Sequence, residues 1–370
     1  MSVLLKKPFF EGISQIELVE QLESKKKCKD KLPIWFHTEG IYYPNKLNIE
    51  QTSSERTAAY KANLVSGKTL LDVTGGFGVD SYFFTQNIVQ VFHCEINRNL
   101  SEMASHNFEV LGQQNIVCFA KDGIEYLKES NHKFNWVYVD PSRRSDRKGK
   151  VFLLKDCVPN LTEHLPTIFE KTSNVLVKTS PLLDITQGIK ELDSTKEVHV
   201  VAINNEVKEL LFVLENGYDS DVTIKTANMV GDKEELFDFQ LQNEQSVIPA
   251  FGSPEKFLYE PNSAILKSGG FKSVAEAFGL KKLQQHSHLY TSNDLIDFPG
   301  RRFEIIKTLP YSKKTLKQTG INKANITTRN FPSSVAELRK KHKIKDGGNH
   351  YFFFTKDING DLIVVQTKKA

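Results

Sequence analysis

Cysteine is scarce in this chain and shows no pattern. Its 370 residues hold four, Cys28, Cys94, Cys118 and Cys157, and no two have the C-x-x-C spacing of a zinc site or redox motif. Cys94 and Cys118 fall within predicted strands. Neither a disulfide framework nor a metal centre is expected, and the protein reads as reduced, cytoplasmic and metal-free. His286 and His288 stand two apart without further Cys or His, which does not make a metal site. Long apolar runs are also missing. None approaches the roughly 18 residues of a membrane span, and the lysines near the N-terminus precede no apolar core or small-residue cleavage site, so no signal peptide is expected. Internal repeats and low-complexity tracts are absent.

What is present is ordinary in amount and uneven in placement. Hydrophobic residues make up 39% and charged residues 25% of the chain, values of a globular protein long enough for two or three domains. The net charge of +4 conceals a split: residues 301–370 carry 16 Lys/Arg against 5 Asp/Glu, a balance of +11, leaving −7 for the rest. A basic C-terminal part suits a polyanionic partner, although a solvated lysine-rich surface has the same composition.

Residues 1–65 read as a helical N-terminal segment. Ile13, Ile16, Leu18, Val19 and Leu22 lie near one helical face, the basic run Ser24 to Lys31 is expected on the surface, and Leu32 to Pro44 reads as an irregular packed stretch. Trp35, Tyr42 and Tyr43 in it are expected to pack. Thr52-Ser53-Ser54-Glu55 reads as a capping box opening a helix to about Val65. From Thr69 the period alternates. Strands are predicted at 69–73, 89–95, 116–120, 136–140, 175–179 and 198–203, with helices at 79–86, 98–111, 123–129, 161–170 and 184–191. That is a doubly wound α/β domain, a Rossmann-like sheet. Only a short polar stretch separates 198–203 from 210–214, so the last strand should run antiparallel. After Gly217 the pattern becomes a small α+β module. Hairpins are predicted over 222–240 and over 351–366 across Asn359-Gly360, with a helix at 274–278, a strand at 303–308 and a helix at 333–341. Phe352, Phe353 and Phe354 read as strand core.

The chemistry gathers at strand ends. Leu70-Leu71-Asp72-Val73-Thr74-Gly75-Gly76-Phe77-Gly78-Val79-Asp80 is a buried strand, a glycine turn and a helix start, the order that cradles a nucleotide-like ligand. Glu95, at the next strand end, is placed for ribose hydroxyls, and Asp122, beside Gly123, for an adenine amine. Asp140-Pro141-Ser142-Arg143-Arg144 ends the fourth strand. Parallel strands present their carboxyl ends on one edge, so Asp72, Glu95, Asp122 and Asp140 should converge there. Lys178 ends the fifth strand on the same edge. Arg143, Arg144, Arg147, Lys148 and Lys150 form a basic loop suited to phosphate.

This order of residues resembles the SAM-dependent methyltransferases of class I. Gln51-Thr52-Ser53-Ser54-Glu55, Asp140 to Arg144, Val177-Lys178-Thr179-Ser180-Pro181 and Phe298-Pro299-Gly300-Arg301 narrow the resemblance to a bacterial group. In that group a ferredoxin-like piece and a THUMP-like domain follow the catalytic domain. The resemblance spans nearly the whole chain and implies a methyltransferase domain at 66–245, a ferredoxin-like piece at 250–294 and a THUMP-like domain at 295–370. It implies S-adenosyl-L-methionine as cofactor, held by Asp72, Thr74, Gly75, Gly76, Gly78, Asp80, Glu95, Asp122 and Gly123. Asp140, Pro141 and Arg143 are the implied catalytic residues. Arg144, Lys178, Arg301 and Arg302 face the substrate, an RNA such as tRNA or rRNA. Thr74 replaces the usual first glycine, and Ser142-Arg143 replaces the Pro-aromatic pair that stacks a flipped base in amino-methylating enzymes. The target atom is therefore open. Other readings are a methyltransferase of proteins or small molecules, and a non-catalytic RNA-binding protein with a retained SAM fold. A nicotinamide dehydrogenase fits the Asp-Pro motif and the antiparallel strand poorly.

Overall fold

A computed structural model describes residues 14–143 and 153–370. The chain divides into two compact units, Met1–Glu197 with Glu209–Ser220, and Val198–Lys208 with Asp221–Ala370. The basic-loop residues Arg144, Arg147, Lys148 and Lys150 lie outside the described residues.

The first unit opens with helices α1 (Gln15–Lys31), α2 (Pro33–His37), α3 (Lys46–Gln51) and α4 (Glu55–Ala62). There follow β1 (Gly67–Asp72), α5 (Val79–Phe84), β2 (Ile88–Cys94), α6 (Arg98–Val110), β3 (Ile116–Phe119), α7 (Gly123–Glu129) and β4 (Trp136–Val139). Next come the two-residue strands β5 (Ser142–Arg143) and β6 (Cys157–Val158), then α8 (Leu161–Phe169), β7 (Asn174–Thr179), α9 (Ile185–Glu191), β8 (Thr195–Ile203) and β9 (Glu206–Glu215). The sheet order is β3-β2-β1-β4-β7-β9. Its members run parallel from β3 to β7, while β9 pairs antiparallel with β7, as expected from the short connection before it. The central strands are apolar because helices cover both faces; Leu70, Leu71, Val137, Val139 and Val175 to Val177 are wholly buried.

The N-terminal segment departs from its sequence reading in three places. The basic run continues helix α1 beyond Leu22, with Lys26 and Lys29 exposed as expected. Ser24 and Cys28 are buried in it, and the Lys31 ammonium donates to the carbonyls of Ile49 and Glu50, each at 2.8 Å. Leu32 to Pro44 is not wholly irregular, since Pro33 at the first turn starts α2 and Trp35 is buried in it. The capping box also shifts. Thr52 closes α3 by donating its N–H to Asn48 at 3.0 Å, so Ser54 takes the cap of α4 and exchanges hydrogen bonds with Thr57. The helix ends at Ala62 instead of Val65.

In the second unit, β10 (Thr223–Val230) and β11 (Lys233–Gln240) form the expected hairpin, and β10 lies beside β8. Residues 198–208 therefore group with this unit although they precede Gly217. A further sheet contains 257–261, 300–310, 362–369 and 351–356 as neighbours, with 325–328 parallel to 351–356 at its edge. The Phe352–Phe354 run explains itself here. Phe353 enters one core with Leu258, Leu289 and Phe303, while Phe352 and Phe354 enter another with Leu316, Leu338 and Ile344. The helices Lys313–Gln318 and Val335–His342 supply Leu316 and Leu338 to that second face.

Helix α7 crosses β1 closely at Gly123, where an added Cβ would lie 2.3 Å from the Val73 carbonyl oxygen and 2.4 Å from its Cα. Backbone cannot yield there as a side chain could. Gly123→Ala is expected to cost about 1–3 kcal/mol or more in urea denaturation; an unchanged midpoint would show that the crossing is looser than described.

Candidate active site

The edge at the carboxyl ends of β3, β2, β1 and β4 carries Asp122, Glu95, Asp72 and Asp140 in that spatial order. They have distinct local tasks. Asp72 is only 1% exposed. Its Oδ1 accepts the Thr74 N–H at 3.0 Å and its Oδ2 the Ser81 hydroxyl at 2.6 Å. It thus braces the glycine turn from below, at the start of α5. Burial pushes its carboxyl up to about 7, against the pull of those two hydrogen bonds.

The glycines each answer a different demand. Gly75 rests on the buried His93 ring, where a Cβ would lie 2.3 Å from Nε2, and burial pushes this imidazole down to about 4, leaving a neutral support. Gly78 caps α5 at φ +84° against Phe108. Gly76, at φ +56°, is the open one: among the described residues a Cβ there would meet only the Thr74 carbonyl, 3.8 Å away. Its N–H donates to Glu95 Oε2 at 2.9 Å, and Glu95 Oε1 accepts the Asn97 N–H at 2.7 Å. Glu95 is therefore fixed beside an unobstructed face of the turn. Asp122 Oδ1 caps α7, accepting from Ile124 and Glu125 at 2.8 and 3.0 Å.

Thr74, the residue out of pattern, has a visible use. Its hydroxyl accepts the backbone N–H of Asp140 at 2.7 Å. A glycine could not make this bond, which ties the turn after β1 to the turn after β4. Pro141 comes next and is buried, and the exposed Ser142 and the backbone of Arg143 pair with Val158 and Cys157.

Beneath this edge lies an ionic cluster that sequence reading resolved only in part. The Lys61 ammonium is fully buried and donates to both oxygens of Glu209, at 2.7 and 2.9 Å, and to Ser53 Oγ at 3.1 Å. It also lies 3.2 Å from Asp80 Oδ1. Asp80 Oδ2 accepts from Ser53 at 2.9 Å and from the Tyr138 hydroxyl at 2.7 Å. Burial would raise the Asp80 carboxyl, but the Lys61 and Lys178 ammoniums hold it below its ordinary value. Asp80 is thus taken up by the protein's own cations. Lys178 pairs with Asp140 at the upper end of the cluster. Burial favours its neutral form, yet the Asp140, Asp80 and Glu209 carboxylates outweigh that and keep it an ammonium. The Lys178 side chain is 12% and that of Asp140 34% exposed, so among the described residues Asp140 is the most accessible member of the cluster, with the Lys178 ammonium bonded directly to it.

Lys61, Glu209, Ser53, Tyr138 and His93 were not singled out as site residues from sequence. The available signal was weak: a lysine within a helix of small residues, and an acid opening the apolar run Leu210 to Leu214. Arg301 and Arg302 belong to the second unit. Arg301 Nε donates to the buried Glu260 at 2.6 Å, Arg329 holds the other oxygen of Glu260 at 2.8 and 3.0 Å, and Arg302 pairs with Asp297 at 2.9 Å.

The raised carboxyl of Asp72 has a consequence for stability. Its ordinary value is 3.8 and its folded value about 7, so the native state keeps a proton that the unfolded chain loses between those limits. The resulting stabilisation is full below pH 3.8 and lost as pH rises through about 7. Asp72→Asn, whose Oδ1 can accept the Thr74 N–H and whose Nδ2 can donate to the Ser81 hydroxyl, should gain on wild type with rising pH, by up to about 4 kcal/mol at pH 8. Urea melts at about pH 4.5 and pH 8 measure this; a stability difference that is flat with pH rules it out.

Models for a ferredoxin-like domain and a THUMP-like domain match residues 257–299 and 300–369. A crystal structure from Porphyromonas gingivalis W83, described as a methyltransferase, superimposes with a TM-score of 0.92 at 32% identity, covering 100% of this chain and 94% of that one. Two proteins of Mycobacterium tuberculosis, strains CDC 1551 and H37Rv, are 22% identical over 301 residues, 80% of this chain and of each of theirs; both are described as uncharacterized S-adenosylmethionine-dependent methyltransferases. With its Rossmann-like sheet, its glycine turn and its two C-terminal modules, the chain belongs to the bacterial class I SAM-dependent methyltransferases that carry a ferredoxin-like piece and a THUMP-like domain.

Proposed function

We propose that the first unit holds S-adenosyl-L-methionine against the turn 74–78 and methylates a nucleotide of tRNA or rRNA that the second unit helps to bind. The observation that carries the cofactor placement is the open face at Gly76 beside the pinned Glu95 carboxylate. The residues present fit an adenosine-type group. Glu95 retains lone pairs for ribose hydroxyls, Asp122 Oδ2 is left by the helix cap for an amine, and among the described residues no side chain stands over Gly76. Bound there, the cofactor supplies an electrophilic methyl group. The chain's own task is to orient it, exclude water and place an acceptor beside Asp140.

The RNA reading rests on the charge of the C-terminal domain. Lys313, Lys314 and Lys317 on one helix, and Lys340, Lys341 and Lys343 on and after the other, are exposed on elements that pack together. Arg301 and Arg302 are already paired with carboxylates, so these lysines are the better candidates for phosphate contacts.

Two measurements test the reading. Calorimetry with S-adenosylhomocysteine should give saturable binding that Glu95→Ala weakens roughly 10- to 100-fold, the loss of about 1.5–3 kcal/mol for a hydrogen bond to a charged group; equal affinities would remove Glu95 from the site. Changing Lys313, Lys314 and Lys317 to Glu should weaken RNA binding and flatten the slope of log K against log salt by about 2–3, at about 0.7–0.9 per phosphate contact. Binding that ignores both salt and these changes points to a non-RNA acceptor.

A further inference from the structure

We infer that the acceptor atom is a hydroxyl oxygen, the ribose 2′-hydroxyl of RNA, and that the Lys178–Asp140 pair serves its chemistry. This rests on the RNA reading above and narrows it to one class of atom.

The sign of the charge that develops at the acceptor decides the matter. An exocyclic base amine becomes positive as it takes a methyl group. A hydroxyl does the opposite, since its oxygen becomes a useful nucleophile only as it approaches an alkoxide. The cation that the structure leaves at the reachable end of the cluster is Lys178. The Lys61 charge is enclosed by Glu209, Asp80 and Ser53 below, whereas Lys178 hydrogen-bonds Asp140 at the strand ends and stays an ammonium. An ammonium beside the acceptor opposes an amine gaining positive charge and stabilises an oxygen gaining negative charge. The carboxylate it holds is the partner such an oxygen needs. As the acceptor's O–H bond breaks, its proton passes to Asp140. The oxygen–methyl bond forms while the donor's sulfur–methyl bond breaks, its electron pair remaining on sulfur.

The residues after Asp140-Pro141 point the same way. Ser142 is exposed and its backbone pairs with Val158. No ring occupies this position to stack an extruded base, the usual requirement for chemistry on the base itself. A ribose hydroxyl can be presented without extruding the base. Thr74 adds to the arrangement by holding the Asp140 backbone N–H, which keeps the carboxylate in register with the cofactor turn.

The test uses the full chain, methyl-labelled S-adenosylmethionine and total RNA from a deletion strain, followed by alkaline hydrolysis. A methylated 2′-oxygen blocks cleavage at its own phosphate, so label in alkali-stable dinucleotides supports the inference. Label in mononucleotides overturns it and leaves the RNA reading standing. Unlabelled RNA, with S-adenosylhomocysteine still bound in calorimetry, overturns both. Lys178→Met should slow methylation on the order of 10²- to 10³-fold, the effect of removing one stabilising donor. Its affinities for S-adenosylhomocysteine and RNA should stay near wild type, and Lys178→Arg should recover part of the rate. A folded Lys178→Met protein with the wild-type rate also overturns the assignment.

Discussion

A fully buried ammonium, that of Lys61, is the constraint on which the candidate edge depends. A charge at that depth is tolerated only if its partners are complete. They come from three separate places: Glu209 near the start of the antiparallel strand, Asp80 in the helix after the glycine turn, and Ser53 before α4. Tyr138 of β4 then closes on Asp80. One cation thereby fixes a lead-in helix, the cofactor-turn helix and two strands to each other. Removing it would leave the buried Glu209 and Asp80 carboxylates with only the Lys178 ammonium to offset them, a far greater loss than that of a surface ion pair.

Above this base, the site is held by backbone amides. Thr74 and Gly76 donate theirs to Asp72 and Glu95, and Asp140 donates its own to the Thr74 hydroxyl. Positions set this way are ordered by the backbone itself, the kind of support that keeps a site in alignment. The threonine that departs from the glycine pattern is the link between the turn after β1 and the turn after β4. A neutral histidine, His93, underlies the same turn and forbids a side chain at Gly75.

The second unit obeys a different logic. Its sheet is covered on both faces, so consecutive phenylalanines all become core and the usual alternation of apolar and polar positions disappears. Its surface carries the lysines. Glu260, buried and held by Arg301 and Arg329, shows that some cations of this basic region already neutralise a carboxylate of the fold.

Local and periodic features were legible in the sequence. The alternating strands and helices, the glycine turn, the four acids at one edge and the antiparallel last strand all derive from patterns with a period of two or about 3.6 residues, or from connections too short to cross a sheet. Element ends were less legible. Thr52 and Ser54 are equally good caps on paper, and the choice fell to Ser54 because Thr52 finishes α3 and the Ser53 hydroxyl binds Asp80. What only the tertiary structure decided is the pairing of charges. Lys61 and Glu209 stand 148 positions apart, and nothing in the residues around either one names the other. Buried ions choose partners by the geometry that β-strand order creates, so the sequence by itself placed the candidate residues at one edge, and the fold determined which of their charges are spent on structure and which remain accessible.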